Sequence, residues 1–147
     1  MRDYRSIPLW ANVKEEEWQD WRWQLRNRAR TAAAVRRALG AVSPREARGL
    51  AAVRAWRMPL GITPYLLALL ATEAPDGPLR RTLLPDEREG IRAPGELLDP
   101  LGEEAHQVAP GLIRSYPHKA LLLATTDCAC FCRFCTRSPS WPATAPC

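Results

Sequence analysis

A chain of 147 residues, 46 % of them hydrophobic, is long enough for one domain with a core and does not have the composition of a disordered segment. Its longest uninterrupted apolar run, residues 65–71, falls far short of the roughly 20 residues that span a bilayer, and no apolar leader precedes Pro8 and Trp10. The sequence therefore predicts no membrane span, no secretory signal and a cytoplasmic location. The net charge of +5 is carried by arginine, since Lys14 and Lys119 are the only lysines. Residues 21–45 hold seven arginines and no acid, which suits either a nucleic-acid footprint or a helix face that is solvated or packed on protein; the second is expected here.

Along the chain, Trp18, Trp21, Leu25, Ala29, Ala32, Val35 and Leu39 recur every three or four residues. This predicts one apolar stripe on a helix, or on two consecutive helices if Thr31 caps a second. Arg22, Arg26 and Arg30 then share another face. Gly40 is the predicted stop, and Ser43, Pro44 and Glu46 make a capping-box start with proline at the first helical position. That helix is expected to reach Trp56 or Arg57, burying Ala47, Leu50, Ala51 and Trp56. Thr63 and Pro64 open a short apolar helix ending near Leu70. Residues 72–110 contain six prolines and several glycines, so long elements cannot persist there, and the segment is expected to wrap over a surface. The apolar run of residues 120–126 reads as a fully buried strand, the only one of its kind in the chain.

All five cysteines, Cys128, Cys130, Cys132, Cys135 and Cys147, lie in the last 20 residues. Such clustering points to metal or iron-sulfur ligation and away from a disulfide framework. Cys128, Cys132 and Cys135 form C-x3-C-x2-C immediately after the predicted strand, at the end of a strand where α/β folds place their chemistry. Three thiolates on one loop can hold three irons of a 4Fe-4S cluster and leave the fourth iron open. The alternative is a small zinc module, for which Cys128, Cys132, Cys135 and Cys147, or Cys130 in place of one, supply four thiols. The single C-x2-C pair favours the cluster. His106 and His118 have no metal-ligand spacing.

With Phe134 before its last cysteine, this pattern resembles the signature of radical S-adenosylmethionine enzymes. Other segments occur in the order seen in the lysine 2,3-aminomutase family: Trp18-Gln19-Asp20-Trp21-Arg22-Trp23-Gln24-Leu25-Arg26-Asn27-Arg28, Ile62-Thr63-Pro64-Tyr65, Asp99-Pro100-Leu101-Gly102-Glu103, Pro110-Gly111-Leu112, Tyr116-Pro117 and Cys132-Arg133-Phe134-Cys135-Thr136-Arg137. Glutamate 2,3-aminomutase shares most of them, and it or another radical aminomutase is the alternative. The resemblance implies that Cys128, Cys132 and Cys135 ligate a 4Fe-4S cluster whose fourth iron is chelated by S-adenosylmethionine. Reductive cleavage then gives a 5′-deoxyadenosyl radical that takes hydrogen from the substrate, held as an aldimine of pyridoxal phosphate while its amino group migrates. It further implies that Arg137 pairs with the substrate carboxylate, that Tyr116 lies by the pyridoxal phosphate and that Phe134 packs near the adenine. L-lysine is the implied substrate and β-lysine the product. A reductant and a homo-oligomeric assembly are the implied partners of the longer enzyme, with no membrane and no nucleic acid.

Several positions depart from the family. Ser115 stands where the family has an arginine for pyridoxal phosphate, with Arg114 beside it; Asp127 sits one place late; and Cys130 is not a family ligand. After Arg137 the proline-rich residues 138–147 match nothing, as a frameshift or premature stop would produce. The expected fold is thus mainly α: a helical region (residues 1–71), a wrapping linker (72–115), the first strand and cluster loop of an incomplete radical S-adenosylmethionine (β/α) barrel (116–137), and an aberrant tail (138–147). The length is too small for a whole barrel of roughly 200 residues or more. The pyridoxal-phosphate lysine is absent, and the chain is expected to be inactive alone.

Overall fold

The structure is a computed structural model that describes residues 3–53, 59–97 and 99–136. Short 3-10 turns at Tyr4–Ser6 and Pro8–Trp10 lead into helix α1 (Glu15–Gln19), which has three glutamates in its first turn. Asp20 ends α1 and caps α2 (Trp21–Arg26), accepting from the amides of Arg22 and Trp23. The break at Asp20 rotates the predicted stripe. Trp18 stays buried, stacked on Tyr4 with ring centroids 4.0 Å apart, but Trp21 turns outward and is 60 % exposed while Gln24 turns in. Arg30 falls outside any helix, so it shares no helix face with Arg22 and Arg26.

Thr31 does cap a separate helix, α3 (Ala32–Leu39), accepting from Ala34 N at 3.2 Å, and Gly40 ends it with φ +71°. Helix α4 (Pro44–Ala52) starts on the predicted capping box: Ser43 Oγ accepts from Glu46 N, and Glu46 accepts from Ser43 N. Its buried face is Glu46, Gly49 and Leu50, and Ala51 points to solvent. Trp56 and Arg57 lie outside the described residues. Helix α5 (Pro64–Leu70) spans the predicted range and buries Leu67, Ala68 and Leu70.

Helix α6 (Pro78–Leu83) adds Leu83 and Leu84 to the same buried cluster as Trp18, Val35, Leu50, Ile62 and Leu70. It also brings in Arg80, only 2 % exposed, which donates to Ala41 O at 2.8 Å and to Glu46 Oε2 at 3.0 Å. The Nε of Arg80 stands 2.9 Å from Glu46 Oε1 as an ion pair but is out of line for a hydrogen bond. The chain then crosses α4 closely: a Cβ at Gly49 would lie 1.9 Å from Pro85 O, so only glycine fits.

The strand expectation is corrected. Strands β1 (Gln107–Ala109), β2 (Leu112–Tyr116) and β3 (Lys119–Leu122) form an antiparallel meander, with Ile113 opposite Leu121 and Tyr116 opposite Lys119. The run of residues 120–126 is therefore neither the only strand nor a buried parallel one. The turn at Pro117 and His118 folds it back on β2, and with no second layer among the described residues Leu122 is left 68 % exposed. No described helix is long and apolar enough to cross a membrane.

Candidate cysteine loop site

Beyond β3 the chain returns to the helices, and three sets of contacts fix it there. Ala29 and Ile62 exchange backbone hydrogen bonds of 2.8 and 3.2 Å, and Ile62 in turn bridges Cys130. Next to that bridge the amide of Phe131 donates to Gly61 O at 3.0 Å, and the buried Phe131 ring lies over Gly61, where a Cβ would come within 2.8 Å of it. At the far end Arg133 N donates to Thr82 O at 2.9 Å, while its guanidinium pairs with Glu89 and donates to Pro59 O at 3.0 Å. At the near end the buried Arg28 donates to Cys128 O and pairs with Asp127.

On this support Cys128 is exposed and Cys130, Cys132 and Cys135 are half-buried. Cys135 N closes a turn on Cys132 O at 3.2 Å. Burial pushes the Cys132 thiol above its usual range, and the neighbouring Cys135 and Cys128 push it further. Cys130 is raised in the same sense, first by burial and then by Cys128, Cys132 and Cys135. A metal that binds here must displace protons. Among the described residues no three His, Cys, Asp or Glu side chains gather tightly enough to hold one metal ion. The donor set itself, three soft thiols on a single loop with the C-x3-C-x2-C spacing, fits an iron-sulfur cluster in chemistry.

A cleft of about 620 Å³ borders the first of these thiols, walled by Trp18, Trp21, Leu25 and Tyr65 on one side and Thr125, Asp127, Cys128 and Ala129 on the other. The remaining candidates lie apart from it. Tyr116 is 56 % exposed in β2, under the Lys119 ammonium, and Phe134 is 71 % exposed. Arg137 and Cys147 are outside the described residues, as is the residue 138–147 tail. Ser115 is exposed, and Arg114 donates to Pro117 O at 2.7 Å.

Sequence reasoning missed the residues that hold the loop: Arg28, Gly61, Thr82 and Glu89. Of these, Gly61 has a faint signal, a glycine just before the Ile62-Thr63-Pro64 helix start. The basic run of residues 21–45 is partly tied up within the chain, while Arg22, Arg26, Arg36 and Arg37 keep exposed side chains. Arg28 is buried, Arg36 donates to Ala47 O, Arg45 pairs with Asp86 and Arg26 with Asp20.

No protein-family model matches the chain. Among curated proteins it is 37 % identical over 133 residues to the L-lysine 2,3-aminomutase of Clostridium subterminale, covering 90 % of this chain and 32 % of that one. It is 35 % identical over 136 residues to the L-lysine 2,3-aminomutase of Bacillus subtilis (strain 168), covering 92 % and 28 %. With the glutamate 2,3-aminomutase of Clostridioides difficile (strain 630) the identity is 30 % over 126 residues, covering 86 % and 29 %. The chain spans about a third of the length of the curated relatives it matches. These relatives are aminomutases, a class of isomerase. Over the residues it shares with them, the chain belongs to the lysine 2,3-aminomutase family.

Proposed function

We propose that this chain is the helical platform and cluster loop of a radical S-adenosylmethionine aminomutase, with Cys128, Cys132 and Cys135 holding three irons of a 4Fe-4S cluster. The observation that carries the reading is the anchoring of the C-x3-C-x2-C loop at its start by Arg28, at its middle by Gly61 and toward its end by Thr82. Such a cluster, with S-adenosylmethionine on its open iron and pyridoxal phosphate on the substrate, supplies the electron and the radical for a 1,2-amino migration. The chain's own part is placement. Its helices fix the loop, its thiols would release their protons to solvent as thiolates bind the metal, and the planar fork of Arg137 suits a substrate carboxylate. The rings of Tyr116 and Phe134 are exposed, and their proposed roles are contact with pyridoxal phosphate and with adenine respectively. In the whole enzyme β3 serves as the first strand of a partial (β/α) barrel.

L-lysine, converted to L-β-lysine, is the proposed substrate, since several relatives named for lysine reach 35–38 % identity over about nine-tenths of this chain, against 30 % for a relative named for glutamate and 27 % for another named for lysine. An external reductant and further copies of the chain are its proposed partners, and a reducing, cytoplasmic compartment suits its thiols. Alone the chain is inactive, because neither of its lysines, Lys14 and Lys119, matches the family's pyridoxal-phosphate lysine.

Anaerobic addition of iron and sulfide tests the cluster. The expected result is broad brown absorbance with about four irons per chain; uptake of zinc with no visible chromophore under the same treatment overturns it. Incubation with S-adenosylmethionine, pyridoxal phosphate, dithionite and L-lysine is expected to yield no β-lysine, and any β-lysine refutes the inactivity.

A further inference from the structure

Arg28 follows α2, and its side chain is 3 % exposed, a burial that arginine rarely accepts without full pairing. Each guanidinium nitrogen has its own partner. Nε donates to Leu25 O at 2.9 Å, one terminal nitrogen donates to Cys128 O, and the other pairs with Asp127 Oδ1. The next residue, Ala29, is fixed through its two hydrogen bonds to Ile62, so the base of the side chain belongs to the helical core. Two of the three nitrogens thus reach about 100 residues along the chain to two adjacent residues at the start of the cysteine loop. The lysine ammonium, a point charge on a flexible stem, cannot hold three separate partners in one plane.

We propose that Arg28 is the positioning residue of the cysteine loop: its buried fork grips the Cys128 carbonyl and the Asp127 carboxylate and thereby sets where the first ligating thiol stands. This rests on the reading of Cys128, Cys132 and Cys135 as cluster ligands. Because the Nε contact and the Ala29–Ile62 pairing hold the arginine in place, the loop docks on a group already oriented by the helices.

The test compares the full chain with Arg28→Lys and Asp127→Asn by two readouts. In the metal-free chain, amide exchange at Phe131 and Arg133 should quicken about tenfold, as expected for losing a charge-assisted hydrogen bond, while Leu67 and Leu70 keep their protection. After anaerobic iron and sulfide treatment, iron uptake should fall to less than half. Native exchange in the loop together with native iron content and an unchanged electron paramagnetic resonance signal overturns the proposal. If Arg28→Lys also unprotects the core amides, Asp127→Asn decides by the same readouts, since it alters only a half-exposed side chain. If the unmodified chain takes up no cluster, the cluster reading fails; quickened loop exchange in the variants still supports the anchoring role.

Discussion

The hydrogen that serves as the side chain of Gly61 leaves room for the Phe131 ring, and that contact keeps the middle of the cysteine loop on the helices. Gly61→Ala places a methyl within 2.8 Å of the ring, so Phe131 must shift. The expected cost is about 1–3 kcal/mol, read as a lower urea midpoint with an unchanged slope. Burial of charge sets a larger effect at Glu46. Its carboxylate is the ionic partner of the buried Arg80, caps α4 and accepts from Asp76 N at 3.0 Å. Removing one partner leaves an uncompensated charge inside, so Glu46→Ala should destabilise by about 3–5 kcal/mol in the same measurement. The arginine that matters most to the site illustrates what sequence alone withholds. Arg28 is one of seven in a basic run, and its type and spacing do not distinguish it from the exposed Arg26, because its partners lie about 100 residues away.

Elements differ in how they are secured, and pH separates them. Asp86 joins α4 to the turn that carries Glu89, and through Glu89 to Arg133 of the loop. The Arg88 guanidinium, with the Arg88 amide and Arg45, holds its carboxyl well below the usual aspartate range. A carboxylate depressed in the fold contributes stability that is full above its unfolded value, about 4, and is lost as pH falls toward the folded one. The melting temperature should therefore decline progressively below about pH 4, and Asp86→Asn should flatten that decline. Exchange should separate the sheet from the helices. Amides of Leu121 and Leu122, on an exposed edge strand, should exchange faster than those of Leu67 and Leu70. The helix signals were legible because they are local: Thr31, Gly40, the Ser43 box and Thr63-Pro64 each act within one turn. The strand was misread because its burial depends on what covers it, which an apolar run such as residues 120–126 does not specify. The split of α1 from α2 hinged on Asp20, a cap inside an otherwise continuous stripe.

At the scale of the whole molecule, the helices are a platform for a loop of eight residues. Contacts from Arg28, Gly61, Ile62 and Thr82 hold the loop's backbone, and the thiols are left for chemistry. The candidate ligands were readable because cysteine spacing is itself the chemistry, whereas the support came from four separate segments that only folding brings together. The most direct check on this account is iron content and visible absorbance after anaerobic reconstitution of the full chain and of four single variants. Cys128→Ser, Cys132→Ser and Cys135→Ser should each abolish the brown chromophore, and Cys130→Ser should leave it intact. An unchanged chromophore in any of the first three, or its loss in Cys130→Ser, would contradict the assignment of the ligands.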